Sequence, residues 1–207
     1  MTSFTPSKAS SQQRQAIRQN IRCKRRHLSN REQIEAAQGL LSQLQKHTAA
    51  NEANTVALYL AVDGELNLTP VIEWYWNLGK RVCLPVLHPF SNGHLLFLEY
   101  TPLTDMVANQ YKIEEPKLTL SQIVPINEID IIYTPLVAFD EQGQRLGMGG
   151  GYYDRTLASW ESSSGHEAIG LAHDCQQVAL LPVEAWDIPL KTIVTPSKTW
   201  QWNAKPR

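Results

Sequence analysis

The chain has 207 residues, 43% of them hydrophobic and 19% charged, with a formal net charge of −1. That length suits one α/β domain with a sizeable core, and no apolar run approaches the ~20 residues that cross a bilayer. The polar start "MTSFTPSKASSQQ" lacks the apolar stretch of a signal peptide, so the expected compartment is the cytoplasm.

Residues 1–9 read as a disordered tail ahead of a single domain over 10–207. Residues 10–27 carry good helix formers, with Ile17, Ile21 and Leu28 on one stripe. The same stretch is basic. No acid precedes Glu32, while Arg14, Arg18, Arg22, Lys24, Arg25, Arg26 and Arg31 supply seven of the nineteen basic residues. A solvated helix face is the ordinary meaning of such a run; a site for nucleotide, phosphate or RNA is the functional one. "SNRE" at 29–32 has capping-box spacing and predicts a second helix over 30–47. The apolar run 55–61 is expected to be a buried strand. Thr69 is expected to cap a helix that has Pro70 at its first position and ends near Gly79.

Further strands are expected over 81–87 and 94–100, with irregular structure over 101–128. The run 129–135, apolar and stopped by proline, suits a central strand buried on both faces. A helix over 152–160 and strands over 167–173 and 191–196 complete the alternation. The expected fold is an α/β three-layer sandwich with a mainly parallel sheet, whose ligands collect where loops leave the carboxyl ends of the strands. Cys23, Cys83 and Cys175 are odd in number and widely spaced, unlike a disulfide framework or a zinc site.

Chemistry concentrates in "RLGMGGGYYDR" at 145–155, which follows the central strand and packs four glycines into five positions. Backbone N–H groups bare of side chains can cradle an anion, and Arg145 adds a charge able to grip phosphate through two donors. The spacing is neither the Walker pattern nor GxGxxG. A bare glycine cluster fits a structural turn equally well. Asp154 is a helix-dipole partner or, beside bound phosphate, a ligand for Mg²⁺. Asp187, in "EAWDIPL", is by spacing an ordinary loop residue that a parallel fold can bring to the same sheet edge. Tyr152 and Tyr153 suit core packing or a flat ligand ring, and Glu65 in "AVDGELN" follows the first strand toward that edge.

The stretch "PLVAFDEQGQRLGMGGGYYDR" resembles the signature of the 5-formyltetrahydrofolate cyclo-ligase family, also called methenyltetrahydrofolate synthetases. Supporting pieces stand in the same order along the chain: "RQAIR", "YLAVDGELN", "IEEP" and "LLPVEAWDIPL". The resemblance implies an enzyme of one-carbon folate metabolism, with a fold related to the ribose-phosphate isomerase and CoA-transferase group. It would convert 5-formyltetrahydrofolate to 5,10-methenyltetrahydrofolate with ATP and Mg²⁺, releasing ADP and phosphate. By carry-over, ATP would be bound by Arg14, Arg18, Arg145, Leu146, Gly147, Met148, Gly149, Gly150, Gly151, Tyr152 and Tyr153. Folate would be bound by Leu60, Glu65, Met148, Gly149, Gly150, Gly151 and Tyr152. Asp154 and Asp187 would hold the metal, with Arg145 and Asp154 in catalytic roles. The expected partners are these small molecules alone, with no nucleic acid and no membrane, the chain acting as a monomer. Three positions depart from the family pattern: Arg14 replaces a common lysine, Lys112 a common glycine, and His173 a usual apolar or aromatic residue.

The reaction has a chemical difficulty that ATP removes. A formyl oxygen is a poor leaving group as hydroxide, but once phosphorylated it departs as phosphate while N10 closes the ring. Two other classes fit parts of the sequence. A phosphosugar isomerase or transferase of related fold would use the glycine loop without ATP. A nucleic-acid-binding module would use residues 14–31 and bind with steep salt dependence, although no aromatics interleave the charges there.

Overall fold

The computed structural model describes residues 8–158, 166–184 and 186–202, with side chains from residue 10 onward. The basic N-terminal segment forms helix α1 (Lys8–Arg26), which begins two residues before the expected start; residues 1–7 of the expected tail lie outside the described residues. Helix α2 (Asn30–Leu44) opens on a complete capping box. Glu32 N donates to Ser29 Oγ at 3.3 Å, and Ser29 N donates to the Glu32 carboxylate at 2.8 Å. Its buried residues are Ala37, Leu40 and Leu44. One short helix, α3 (Thr48–Glu52), leads into strand β1 (Thr55–Ala57). Helix α4 (Thr69–Asn77) corrects one expectation. Leu68, not Thr69, is the N-cap, and no side chain caps it; Pro70 still stands in the first turn, and Gly79 follows at φ +69°.

Strands β2 (Arg81–Leu87), β3 (Leu95–Glu99) and β7 (Ile131–Pro135) fall where their apolar runs place them. The segment 101–128, expected to be irregular, contains a two-stranded ribbon, β4 (Met106–Ala108) with β5 (Glu114–Pro116), and a short edge strand, β6 (Ile123–Val124). After β7 comes a second small hairpin, β8 (Ala138–Phe139) with β9 (Arg145–Leu146). Then come α5 (Tyr152–Ala158), β10 (Glu167–Leu171), β11 (Thr192–Val194) and an unforeseen last strand, β12 (Thr199–Gln201). Residues 159 and 160 of the expected last helix lie outside the described residues.

The main sheet has the order β12-β11-β10-β7-β1-β2-β3-β6. Its five central strands, β11 through β2, run parallel, and the pairings outside them are antiparallel. Strand residues alternate between two cores. Val56, Val82, Leu84, Ile131, Tyr133, Ile169 and Val194 pack with α2 and α4 on one face; Ala57, Cys83, Ile132 and Ile193 pack with Leu157 of α5 and Phe139 on the other. These are the three layers that the alternation of strands and helices implied. Within the first core, the hydroxyls of Tyr75 and Tyr133 are hydrogen-bonded at 2.6 Å, and Tyr75 also donates to Ala50 O at 3.1 Å, so neither buried phenol is orphaned. Because the central strands are parallel, the segments leaving β1, β2 and β7 emerge at one edge. There they enclose a cleft of about 1350 Å³. No helix among the described residues is long and apolar enough to cross a membrane.

Candidate active site

One wall of the cleft is the segment that follows β9. The β8–β9 turn is pinned by buried Asp140, whose carboxylate accepts hydrogen bonds from Gln142 N, Gln144 N and Leu181 N at 2.9–3.1 Å. Beyond Leu146 the chain runs through Gly147, Met148 and Gly149–Gly151. Gly149 at φ +104° and Gly151 at φ +67° hold backbone that side chains rarely tolerate. A Cβ at Gly147 would meet nothing within 4 Å, and one at Gly149 would meet only the Arg18 guanidinium at 3.6 Å. The loop therefore offers its backbone to the cleft and to that cation.

Arginines gather around this loop. Arg18 Nε donates to Gly147 O at 2.9 Å. Arg145, 5% exposed, donates to Asp154 Oδ1 at 2.5 Å and to Ile188 O at 3.2 Å. Arg14 grips both oxygens of Asp187, at 2.5 and 3.0 Å, and donates to Pro182 O at 3.0 Å. Asp187 also accepts from Glu184 N at 2.9 Å. Both Asp154 and Asp187 act electrostatically on Arg145, so the fold brings the two carboxylates, 33 positions apart in sequence (187 − 154), around one guanidinium. Burial and the neighbouring Arg14 lower the pKa of Arg18. Both effects disfavour its charge, and an arriving anion relieves them.

Another wall of the cleft presents Leu60, Glu65 and Tyr59, and Tyr153 of α5 interacts with both Glu65 and Arg145. Burial pushes the Glu65 carboxyl up to about 7, opposed by Arg25 and by the hydrogen bond from Val62 N at 3.2 Å. Burial and the Glu65 charge also raise the pKa values of Tyr59 and Tyr153, which remain protonated donors. Tyr152 is more exposed. Its hydroxyl is 2.9 Å from that of Tyr111, which stands between β4 and β5, and the two rings meet edge to face. Arg155 ties the glycine loop to its surroundings by donating to Gly150 O and, at 2.9 Å, to Gly93 O.

Ten of the eleven residues that the resemblance assigns to ATP, all seven assigned to folate and both metal-assigned aspartates line the cleft; Leu146 does not, its side chain being buried with Ile21, Val137, Ala138 and Leu181. No group of three or more His, Cys, Asp or Glu among the described residues could hold a metal ion. Two carboxylates, each already carrying an arginine, instead suit a Mg²⁺ that arrives on phosphate oxygens and keeps several waters.

The basic run divides its labour. Arg14 and Arg18 turn to the cleft, whereas Arg22, Arg25 and Arg26 all pair with Asp63. Six of the seven cations thus have a partner within the protein, Arg31 pairing with Glu35, while Lys24, Arg26 and Arg31 keep the exposure expected of a solvated face. Sequence reasoning missed Arg25 and Asp63. The available signal was spacing, since residues 22, 25 and 26 share one helix face. Tyr111 and Arg155 were missed because their partners lie on other elements. Lys112, where a glycine was noted as usual, adopts φ +61°.

Residues 10–196 match the profile of the 5-formyltetrahydrofolate cyclo-ligase family. The chain is 53% identical over 182 residues to the 5-formyltetrahydrofolate cyclo-ligase of Escherichia coli K12, covering 88% of this chain and 100% of that protein. It is 48% identical over 183 residues to the Haemophilus influenzae enzyme of the same name, covering 88% and 97%. Its fold matches the solution structure of Aquifex aeolicus 5,10-methenyltetrahydrofolate synthetase with a TM-score of 0.79 at 28% identity, covering 94% of this chain and 95% of that one.

Proposed function

Because the chain belongs to the 5-formyltetrahydrofolate cyclo-ligase family, we propose that this cleft converts 5-formyltetrahydrofolate to 5,10-methenyltetrahydrofolate, with ATP as co-substrate. The observation that carries the reading is the pairing of two unlike walls in one cleft. Bare glycine backbone among Arg14, Arg18 and Arg145 shares it with a buried carboxylate, Glu65, flanked by tyrosines. At about 1350 Å³ the cleft exceeds the ~300–1,000 Å³ usual for one small ligand and suits two.

The chemistry then runs in two displacements. A lone pair of the N5-formyl oxygen attacks the γ-phosphorus, the bond from phosphorus to the β–γ bridging oxygen breaks, and ADP leaves. The formyl carbon, now joined to oxygen–phosphate and doubly bonded to N5, is electrophilic. N10 adds its lone pair to that carbon, the carbon–oxygen bond breaks, and phosphate departs carrying the N10 proton. The product is the ring-closed methenyl cation. No side-chain nucleophile takes part.

The residues act by position and charge. Arg145 and the glycine-loop amides face the transferring phosphoryl group, whose charge spreads over three oxygens as it moves. Arg14 and Arg18 hold the polyphosphate. Glu65 accepts hydrogen bonds from donors on the folate ring, and Leu60, Met148 and Tyr152 cover its flat faces. A Mg²⁺ held by Asp154 and Asp187 would supply further neutralisation of the phosphate oxygens. The expected kinship with ribose-phosphate isomerases and CoA-transferases belongs to the same proposal, supported by the parallel centre of the sheet and its two helical faces. So does a cytoplasmic monomer, for which the three free cysteines suit a reducing compartment.

The test is direct. Purified protein is mixed with 5-formyltetrahydrofolate, ATP and Mg²⁺, and formation of the methenyl chromophore is followed by absorbance. Product is expected only when nucleotide and metal are both present. Turnover without nucleotide, or none with it, overturns the assignment; a sugar-phosphate isomerase would need no nucleotide at all.

A further inference from the structure

Among the described residues, Arg25 is the largest side chain with no exposed surface. Burying a guanidinium costs several kcal/mol, and packing alone would be served as well by an apolar residue. Its Nε donates to Asp63 O at 2.8 Å, its Nη2 to Asp63 Oδ2 at 3.0 Å, and the same Nη2 lies 3.5 Å from Glu65 Oε1. Arg22 and Arg26 add their own bonds to the Asp63 carboxylate. Three guanidinium groups therefore surround one aspartate. One charge neutralises it, and two remain beside Glu65.

What they hold is an unfavourable turn. Glu65 N donates to Val62 O at 3.0 Å, and both residues between are left-handed, Asp63 at φ +54° and Gly64 at φ +76°. That conformation is unfavourable at a residue with a Cβ, and it persists only where surrounding contacts over-determine it. The contacts come from helices α1 and α2. A Cβ at Gly64 would press on Arg25 O at 3.1 Å and on Arg26 Cα at 3.3 Å, and Gln33 Nε2 donates to Gly64 O at 3.3 Å. The turn is thus seated on the two helices, and its outgoing residue is Glu65, whose side chain is 8% exposed.

We infer that Arg25 and Asp63 are positioning residues for folate, fixing the Glu65 carboxylate at one place and angle in the cleft wall. The ligand group served is a flat ring edge with N–H donors, which a fixed carboxylate meets with paired, charge-assisted bonds. The inference rests on the reading of Glu65 as the folate contact. If that contact is made without the clamp, Arg25 and Asp63 are merely structural.

Steady-state kinetics on Glu65→Gln, Arg25→Lys and Asp63→Asn separate the cases. Asparagine tolerates the left-handed backbone, so Asp63→Asn keeps the turn while dropping the charge. Arg25→Lys and Asp63→Asn are each expected to raise the KM for 5-formyltetrahydrofolate about tenfold or more, the effect of weakening a charged hydrogen bond. The KM for ATP should stay within about twofold, because a positioning defect on one wall spares the other. In a Glu65→Gln background, Arg25→Lys should add less than about twofold, the mark of residues acting through one another. Unchanged folate KM in Arg25→Lys and Asp63→Asn, with a raised one in Glu65→Gln, overturns the inference and leaves the function standing. Equal rises for both substrates, or a full effect of Arg25→Lys in the Glu65→Gln background, overturn it too. Normal folate KM in Glu65→Gln removes the reading of Glu65 and the inference with it. Should Arg25→Lys fail to fold, Asp63→Asn decides alone.

Discussion

Glu65 enters the cleft from a turn clamped by three arginines and is almost wholly buried, whereas the glycine loop meets the cleft with backbone, tied by Arg18 at Gly147 O and by Arg155 at Gly150 O. Met148 there is 51% exposed, and Gly147 has open space where a side chain would be. The proposed function gives the two walls different tasks. A folate ring presents the same edge throughout the reaction, so a fixed carboxylate loses no entropy on binding. A triphosphate is met instead by bare amides and by the guanidinium groups beside them.

The sharpest way to break this contrast is to remove charge from beside the glycine loop. Asp154→Asn should lower kcat about 10²-fold or more, the scale of lost electrostatic stabilisation, and raise the Mg²⁺ concentration needed. It should also lower the melting temperature, since Arg145 is 5% exposed and its 2.5 Å partner loses its charge. Wild-type kinetics at every Mg²⁺ concentration would reduce Asp154 to a partner of Arg145. Next in size is Arg14→Ala with Arg18→Ala. The KM for ATP should rise about tenfold, as expected for lost charged bonds, with folate KM little moved. Because Arg14 is paired to a buried Asp187, stability should fall by about 2–3 kcal/mol, more than a solvated arginine would cost. Equal nucleotide affinity in parent and variant, read by titration, would sever helix α1 from that wall.

The smallest effect concerns protons on the rigid wall. Burial pushes Glu65 up to about 7 from its ordinary 4.5, so the folded state holds a proton that the unfolded chain releases. Its contribution to stability is full below 4.5 and is lost as pH rises through 7. His173, beside Gly64 and Arg25, does the opposite. Burial lowers it to about 4 from 6.5, so stability is gained as pH climbs through that interval. Between 4.5 and 6.5 the two slopes oppose each other. Glu65→Gln removes the falling one, and its melting temperature should climb more steeply with pH than the parent's. Parallel profiles would show that the carboxyl titrates as in water.

The strands were legible wherever burial on both faces wrote an unbroken apolar run, as at 81–87 and 131–135. The first helix boundary was legible because Ser29 and Glu32 satisfy each other locally. The ribbon at 106–116 was not. Its strands are three residues each, one ends in Pro116, and their pairing is set by tertiary contact. Thr69 misled because Pro70 fixed the helix start while the neighbouring Leu68 took the cap. In the site, the glycine loop announced itself, since only φ > 0 and close approach justify so many glycines. Arg25 did not, because a run of like charges reads as a wet surface until its acid is found. That acid, Asp63, lies 38 residues away, at a distance no helix periodicity reports.

Sequence separation also gives the site a history. Asp63 follows Arg25 by 38 residues, but Asp187 follows Arg14 by 173. At the ~5–20 residues per second of ribosomal synthesis, the first gap passes in roughly 2–8 s and the second in roughly 9–35 s. For most of that interval the nascent chain displays an arginine helix whose clamp on Asp63 can close while its hold on Asp187 cannot. The clamp beside Glu65 is thus available to form early and the Arg14–Asp187 pairing only late. A ribosome stalled between the two would expose a half-made site, cationic on one side, to every polyanion within reach.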